Sequence, residues 1–205
     1  MKQGILMIFF LVGFCFSQTG MLVDKGNAGF GIWGEFSRDA ECEYCDETTI
    51  LSLDYMTKFG LEFGIDYGIY NDVSFNNEFE YDIAGYKLSY HYKSYSDANF
   101  YISFRQSELT DGDSDPLREL SALSLGYYSN NRSFIELSQR ELVYPGYAEN
   151  VNEFISFGGI IRFEKKAGLL ISYMLDIDVL ETVFDEEDLE YLKYGEITLS
   201  LGGVF

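Results

Sequence analysis

The chain has 205 residues, enough for one domain, and carries 34 acidic residues against 14 Lys and Arg for a formal charge of −20. Such a surplus of acid excludes nucleic acid as a partner, because a polyanion is bound through Lys- and Arg-rich surfaces. With 18 Phe, 17 Tyr and 20 Gly against two Pro, the composition suits long strands packed closely together.

The first element is a leader. Met1-Lys2 is followed by an apolar run over 5–16 and then by Ser17-Gln18-Thr19. A short basic start, a short apolar stretch and small residues at its end define a secretory signal peptide. The run is too short for a membrane helix, which needs about 20 apolar residues. Cutting after Ser17 removes residues 1–17, places Cys15 and Ser17 at the small-residue positions and leaves 18–205 as the mature domain. Loss of Lys2, the one charged residue of the leader, takes the charge to −21. The bulky Phe14 ahead of Cys15 fits a lipid-modified cysteine badly.

Beyond the leader, apolar and polar residues alternate in ten stretches: 29–37, 48–57, 60–70, 80–93, 99–106, 119–128, 133–140, 153–163, 168–177 and 194–205. Leu61-Phe63-Ile65-Tyr67-Ile69 and Leu169-Ile171-Tyr173-Leu175-Ile177 are the clearest. A period of two gives each strand one oily and one polar face. Short links at 58–59, 94–98, 129–132 and 164–167 alternate with long ones at 38–47, 71–79, 107–118, 141–152 and 178–193. That alternation predicts an all-β fold, an antiparallel up-and-down transmembrane barrel of ten strands with both termini at the short-turn rim. Strands one and seven alternate least cleanly, and an eight-stranded barrel is the alternative if they are not strands. In strand four, Phe79-Tyr81-Ile83 gives way to Tyr86-Leu88-Tyr90-Tyr92, which predicts a glycine-hinged bulge at Ala84-Gly85. A soluble barrel or sandwich would turn the oily faces inward. The Gly- and Ser-rich polar faces are too small for a solvent-facing surface and argue against it.

With the oily faces outward, the opposite parity lines the lumen. It supplies Glu35, Asp54, Glu62, Asp66, Glu136, Asp176 and Glu196, together with Lys87, Lys93, Arg105, Arg140 and Arg162, and with His91 nearby. Buried charges persist when paired, so this mixture predicts a salt-bridge and hydrogen-bond network. Antiparallel pairing of strands three and four sets Glu62 against His91 and Asp66 against Lys87, within about one register step. A barrel of this size is only wide enough for side chains to fill. The same charges in an open lumen would instead line a selective pore.

His91 is the one histidine, with Ser89 two residues away on the same face, and no triad is formed. It reads as a satisfied lumen residue rather than a catalytic base. Cys42-Glu43-Tyr44-Cys45 lies in the first long loop. It has no second Cys/His pair to complete a zinc site, so in an exported chain a loop disulfide is expected. The last long loop carries Asp178, Glu181, Asp185, Glu186, Glu187, Asp188 and Glu190 among apolar residues at near-helical spacing. It reads as a solvated acidic loop with a short amphipathic helix, without the spacing of a calcium-binding EF-hand.

The chain ends on Ile197, Leu199, Leu201 and Phe205 at alternate positions, with Gly203 where a larger residue is common. Taken with the leader and the ten strands, this ending resembles the small outer-membrane β-barrel proteins of Gram-negative-type bacteria, across the whole mature chain. The resemblance implies that the barrel-assembly machinery reads that terminal strand. It also implies a bacterial outer-membrane location with outer-membrane lipid around the barrel. A monomer without cofactor or metal is expected. The omptin proteases are longer ten-stranded barrels with acidic and histidine residues at the outer rim, and no matching set occurs here. The expectation is a non-enzymatic barrel with a mostly plugged polar lumen and acidic outer loops, serving envelope structure or surface interaction. A narrow porin-like channel for small solutes is the alternative.

Overall fold

The computed structural model describes residues 18–39, 47–74, 77–94, 98–111, 118–129, 133–143, 150–163, 166–180 and 195–205. Ten antiparallel strands close into one barrel: β1 (Gly29–Asp39), β2 (Glu47–Met56), β3 (Leu61–Ser74), β4 (Asn77–Lys93), β5 (Ala98–Thr110), β6 (Arg118–Ser129), β7 (Ser133–Val143), β8 (Asn150–Phe163), β9 (Ala167–Asp176) and β10 (Glu196–Val204). Each strand pairs with its neighbours in sequence, and β10 returns to β1 with Gly31 opposite Val204 and Asp39 opposite Glu196. Phe205 extends that seam by exchanging backbone hydrogen bonds with Phe30 at 2.8 and 3.1 Å. The eight-stranded alternative is thereby excluded, since both β1 and β7 are fully paired. Among the described residues, no helix is long and apolar enough to cross a membrane.

Period-two patterning decides which way each side chain points. Every strand exposes large apolar residues outward, among them Phe36, Leu51, Ile65, Leu88, Ile102, Leu125, Leu137, Phe157, Ile171 and Leu201 on β1 to β10 in turn. At the short-turn rim this outer face is aromatic, with Tyr55, Phe59, Tyr92, Phe100, Phe163 and Phe205 all exposed. The tight β2–β3 turn depends on Gly60, whose φ of 93° is open to glycine and strained for other residues. Its amide donates to Thr57 O at 3.1 Å, and its carbonyl accepts His91 N–H at 2.8 Å.

The interior is layered. At the short-turn end, Trp33, Met56, Tyr101, Tyr128, Phe134, Ile160, Leu170 and Val204 pack with Met21, Leu22 and Val23. At the other end Ile50, Tyr70, Ile83, Leu109, Leu120 and Ala122 form a second apolar cluster, with Tyr81 against it. Charged side chains occupy the space between.

Two expectations about strands three and four need correction. The link expected at 71–79 is not long. β3 and β4 run on to Ser74 and Asn77, which pair with only 75–76 between them. That tight hairpin sets the register and places Glu62 opposite Ser89 and Asp66 opposite Gly85, two residues from the expected pairing. The bulge at Ala84-Gly85 is also absent, because pairing runs unbroken on both sides of β4. Ile83 is apolar without facing outward. It faces the lumen at a level where the lumen itself is apolar.

Candidate functional site: the lumen and its short-turn mouth

All the lumen charges read from parity turn inward. Glu35, Asp54, Glu62, Asp66, Glu136, Glu196, Lys87, Arg105, Arg140 and His91 are buried, while Arg162, Lys93 and Asp176 are half-buried nearer the rims. The densest cluster lies on β2 to β5. Lys87 Nζ sits 3.0 Å from both Asp54 Oδ1 and Glu62 Oε1, with all three side chains sealed from solvent. Asp66 takes Arg105 at 2.8 Å as its ion-pair partner and accepts Ser52 Oγ at 2.5 Å. The closest ion pairs are thus Asp66–Arg105 and Asp54–Lys87–Glu62, and Lys87 also attracts Asp66 electrostatically.

Glu62 also meets His91, whose Nε2 lies 2.9 Å from Glu62 Oε2. The imidazole stacks on Tyr101 with ring centres 5.5 Å apart, and its Nδ1 lies 3.3 Å from Tyr128 Oη. Ser89 donates to Ser103 Oγ at 2.8 Å. His91 is held by carboxylate and phenol groups inside a packed layer, an arrangement that orients the ring.

The remaining charges lie on the far side of the lumen. Tyr101 Oη donates to Glu136 Oε2 at 2.5 Å, and Ser200 Oγ donates to Glu35 Oε2 at 3.2 Å. Arg140 interacts electrostatically with Glu196 and Glu136, and its guanidinium lies 4.7 Å from the Phe154 ring centre. Thr198 Oγ1 donates to Glu196 Oε1 at 3.4 Å. Asp176 accepts the Asp178 amide at 2.8 Å, where residues 177–180 form a helical turn. Among the described residues, no group of three or more His, Cys, Asp or Glu is placed to hold a metal ion. Cys42, Cys45, residues 1–17 with the expected leader, and the loop acids from Glu181 to Glu190 lie outside the described residues.

One component is absent from the sequence reading. The segment ahead of β1 forms a short helix, α1 (Gln18–Leu22), inside the short-turn mouth. Thr19 Oγ1 donates to Asp54 Oδ2 at 3.0 Å and accepts Trp33 Nε1–H at 2.9 Å. The Gly20 amide donates to Glu62 Oε2 at 2.8 Å, and Arg162 donates to Met21 O at 2.6 Å. Lys93 bonds to Val23 O. The space left between Met21 and β6 to β8 is about 10 Å³, room for roughly one water. The apolar run Met21-Leu22-Val23 ahead of β1 is the one signal that could have located this segment.

No family model matches the sequence, and no curated protein matches it. Among solved structures, "Outer-membrane expressed OmpT of Vibrio cholerae" aligns over 78% of this chain at 10% identity, with a TM-score of 0.40. This chain spans 56% of that chain's length.

Proposed function

We propose that this protein is an integral outer-membrane barrel without catalytic activity. In this reading its own side chains fill the lumen, and its long acidic loops face outward to serve envelope structure or surface interaction. The observation that carries the reading is the apolar belt, present on every strand and edged with aromatic residues at the short-turn rim. From Leu61 to Ile69 on β3, eight residue steps of about 3.3 Å tilted by about 40° cover about 20 Å of height, close to the roughly 25 Å apolar band of membrane barrels. Above that height the outward positions turn polar, as at Arg38, Glu80, Asp82, Glu108 and Glu119. A soluble protein rarely exposes a continuous apolar surface of this size. The filled lumen is supported by the buried ion pairs and the two apolar clusters that bracket them.

Closed barrels resist detergent because no strand edge is left to fray. Unboiled protein is therefore expected to migrate differently from boiled protein on a denaturing gel, and to stay with membranes through a carbonate wash. Identical migration with release into the wash would contradict the reading. In planar bilayers the filled lumen gives no steady single-channel current. Such currents would instead make the protein a narrow channel for small solutes.

A further inference from the structure

We propose that the short-turn rim binds anionic phospholipid headgroups, with Lys58 and Lys166 as the cations that meet the phosphate. The inference rests on the membrane-barrel reading and adds to it the class of lipid that this rim selects. Phe59 and Phe205, at 79% and 74%, are the two most exposed of the described large apolar side chains. Both stand at the short-turn rim, Phe59 in the β2–β3 turn and Phe205 just past the end of β10. Each has an exposed lysine beside it. Lys58 precedes Phe59 in the turn, and the carbonyl of Lys166 accepts the N–H of Val204, next to Phe205, at 2.6 Å. Aromatic side chains at the rim of a membrane barrel mark the boundary between acyl chains and headgroups. A lysine at that level lays its apolar stem along the boundary and carries its ammonium to the depth of the phosphates.

The charge around this rim favours a headgroup that is negative overall. Lys25, Lys58 and Lys166 are exposed there, and Asp24 is the one exposed acid of the rim among the described residues. Lys93 and Arg162 add positive charge while holding the carbonyls of Val23 and Met21. In sequence, the same short links add Arg132 and Lys165 against Asp97 and Glu164. The opposite rim has the reverse balance. Glu80, Glu108, Asp111 and Glu119 are exposed there, and Arg38 lies 3.6 Å from Glu47. Basic side chains close to a membrane surface attract anionic lipid. A zwitterionic headgroup brings its own ammonium towards the lysines and gains less from them. Phosphatidylglycerol, with one phosphate charge and no cation, has the chemistry that fits. The acidic rim repels the same headgroup, so the preference belongs to the short-turn side.

Electron spin resonance of labelled lipids tests this. The protein is refolded into phosphatidylcholine vesicles holding a trace of phosphatidylglycerol or phosphatidylcholine spin-labelled on the acyl chain. The motionally restricted fraction gives the relative affinity of each lipid for the barrel. Phosphatidylglycerol should associate several-fold more strongly, the scale set by one or two lysines near an anionic surface. Lys58→Gln together with Lys166→Gln should bring the ratio close to one in a barrel that is still heat-modifiable, and either substitution alone should lower it partway. Arg38→Gln, at the opposite rim, should leave it unchanged. Equal affinities in the parent, or a preference that survives in the double variant, would overturn the inference. Loss of the preference on adding millimolar inorganic phosphate at constant ionic strength would assign the lysines to soluble phosphate and overturn it as well. In each of these cases restricted lipid is still seen, and the membrane reading stands. If neither lipid shows a restricted component, the membrane reading fails, and this inference with it.

Discussion

Replacing Lys87 with Met is expected to cost about 3–5 kcal/mol of stability, the range for breaking a buried ion pair by removing one partner. Lys87 stands between Asp54 and Glu62, 3.0 Å from each, with none of the three side chains reachable by solvent. Met fills much the same volume, so the loss is electrostatic. Two carboxylates are left buried side by side, with Asp66 close behind and already committed to Arg105. Glu108→Gln is the comparison, because Glu108 is exposed on the outer face of β5 and should change stability by only about 0–1 kcal/mol. Urea unfolding in lipid vesicles measures both. Near-zero effects for both would mean that Lys87 is hydrated, which belongs to an open water-filled channel.

Trp33→Ala should be of similar size, about 3–5 kcal/mol for removing a large buried aromatic side chain. Trp33 is wholly buried, and the neighbouring strand is shaped around it. Gly202 lies directly opposite in the register, and a Cβ there would stand 2.6 Å from the indole. The substitution leaves a cavity at the β1–β10 seam and removes the Nε1–H bond to Thr19. Unfolding is then followed by circular dichroism, since the chain's one tryptophan is gone. A loss under about 1 kcal/mol would mean that the site collapses around the smaller residue and that the bond to α1 adds little to the fold.

Strand number, closure and inward charges could be read from the sequence because period-two alternation acts on each strand alone. Leu61 to Ile69 points outward by parity whatever its neighbours do, and so Glu62 and Asp66 point inward. Register is a property of two strands and the turn between them. The two-residue link at 75–76 was hidden in a polar stretch that resembled a long loop, so the partners of Lys87 and Asp66 were displaced by two residues. The supposed bulge came from treating every apolar residue as outward-facing. Ile83 shows that a lumen can be apolar at one height and charged at another. The segment 18–23 is not legible in the sequence because six residues show no usable period. Their place is set by partners far along the chain, Asp54, Glu62 and Arg162. Gly202 was likewise silent until Trp33 was seen across from it.

The central claim is that the apolar face meets lipid while the charged face is sealed inside. Quenching of tryptophan in vesicles of brominated lipid tests it most directly. Leu125, 60% exposed midway along β6, is replaced in a Leu125→Trp chain that retains the wholly buried Trp33. The indole introduced at position 125 should lose its emission to bromine, while Trp33 in the parent chain keeps its own. Quenching of Trp33 with the added indole spared, or no quenching of either, would contradict the account.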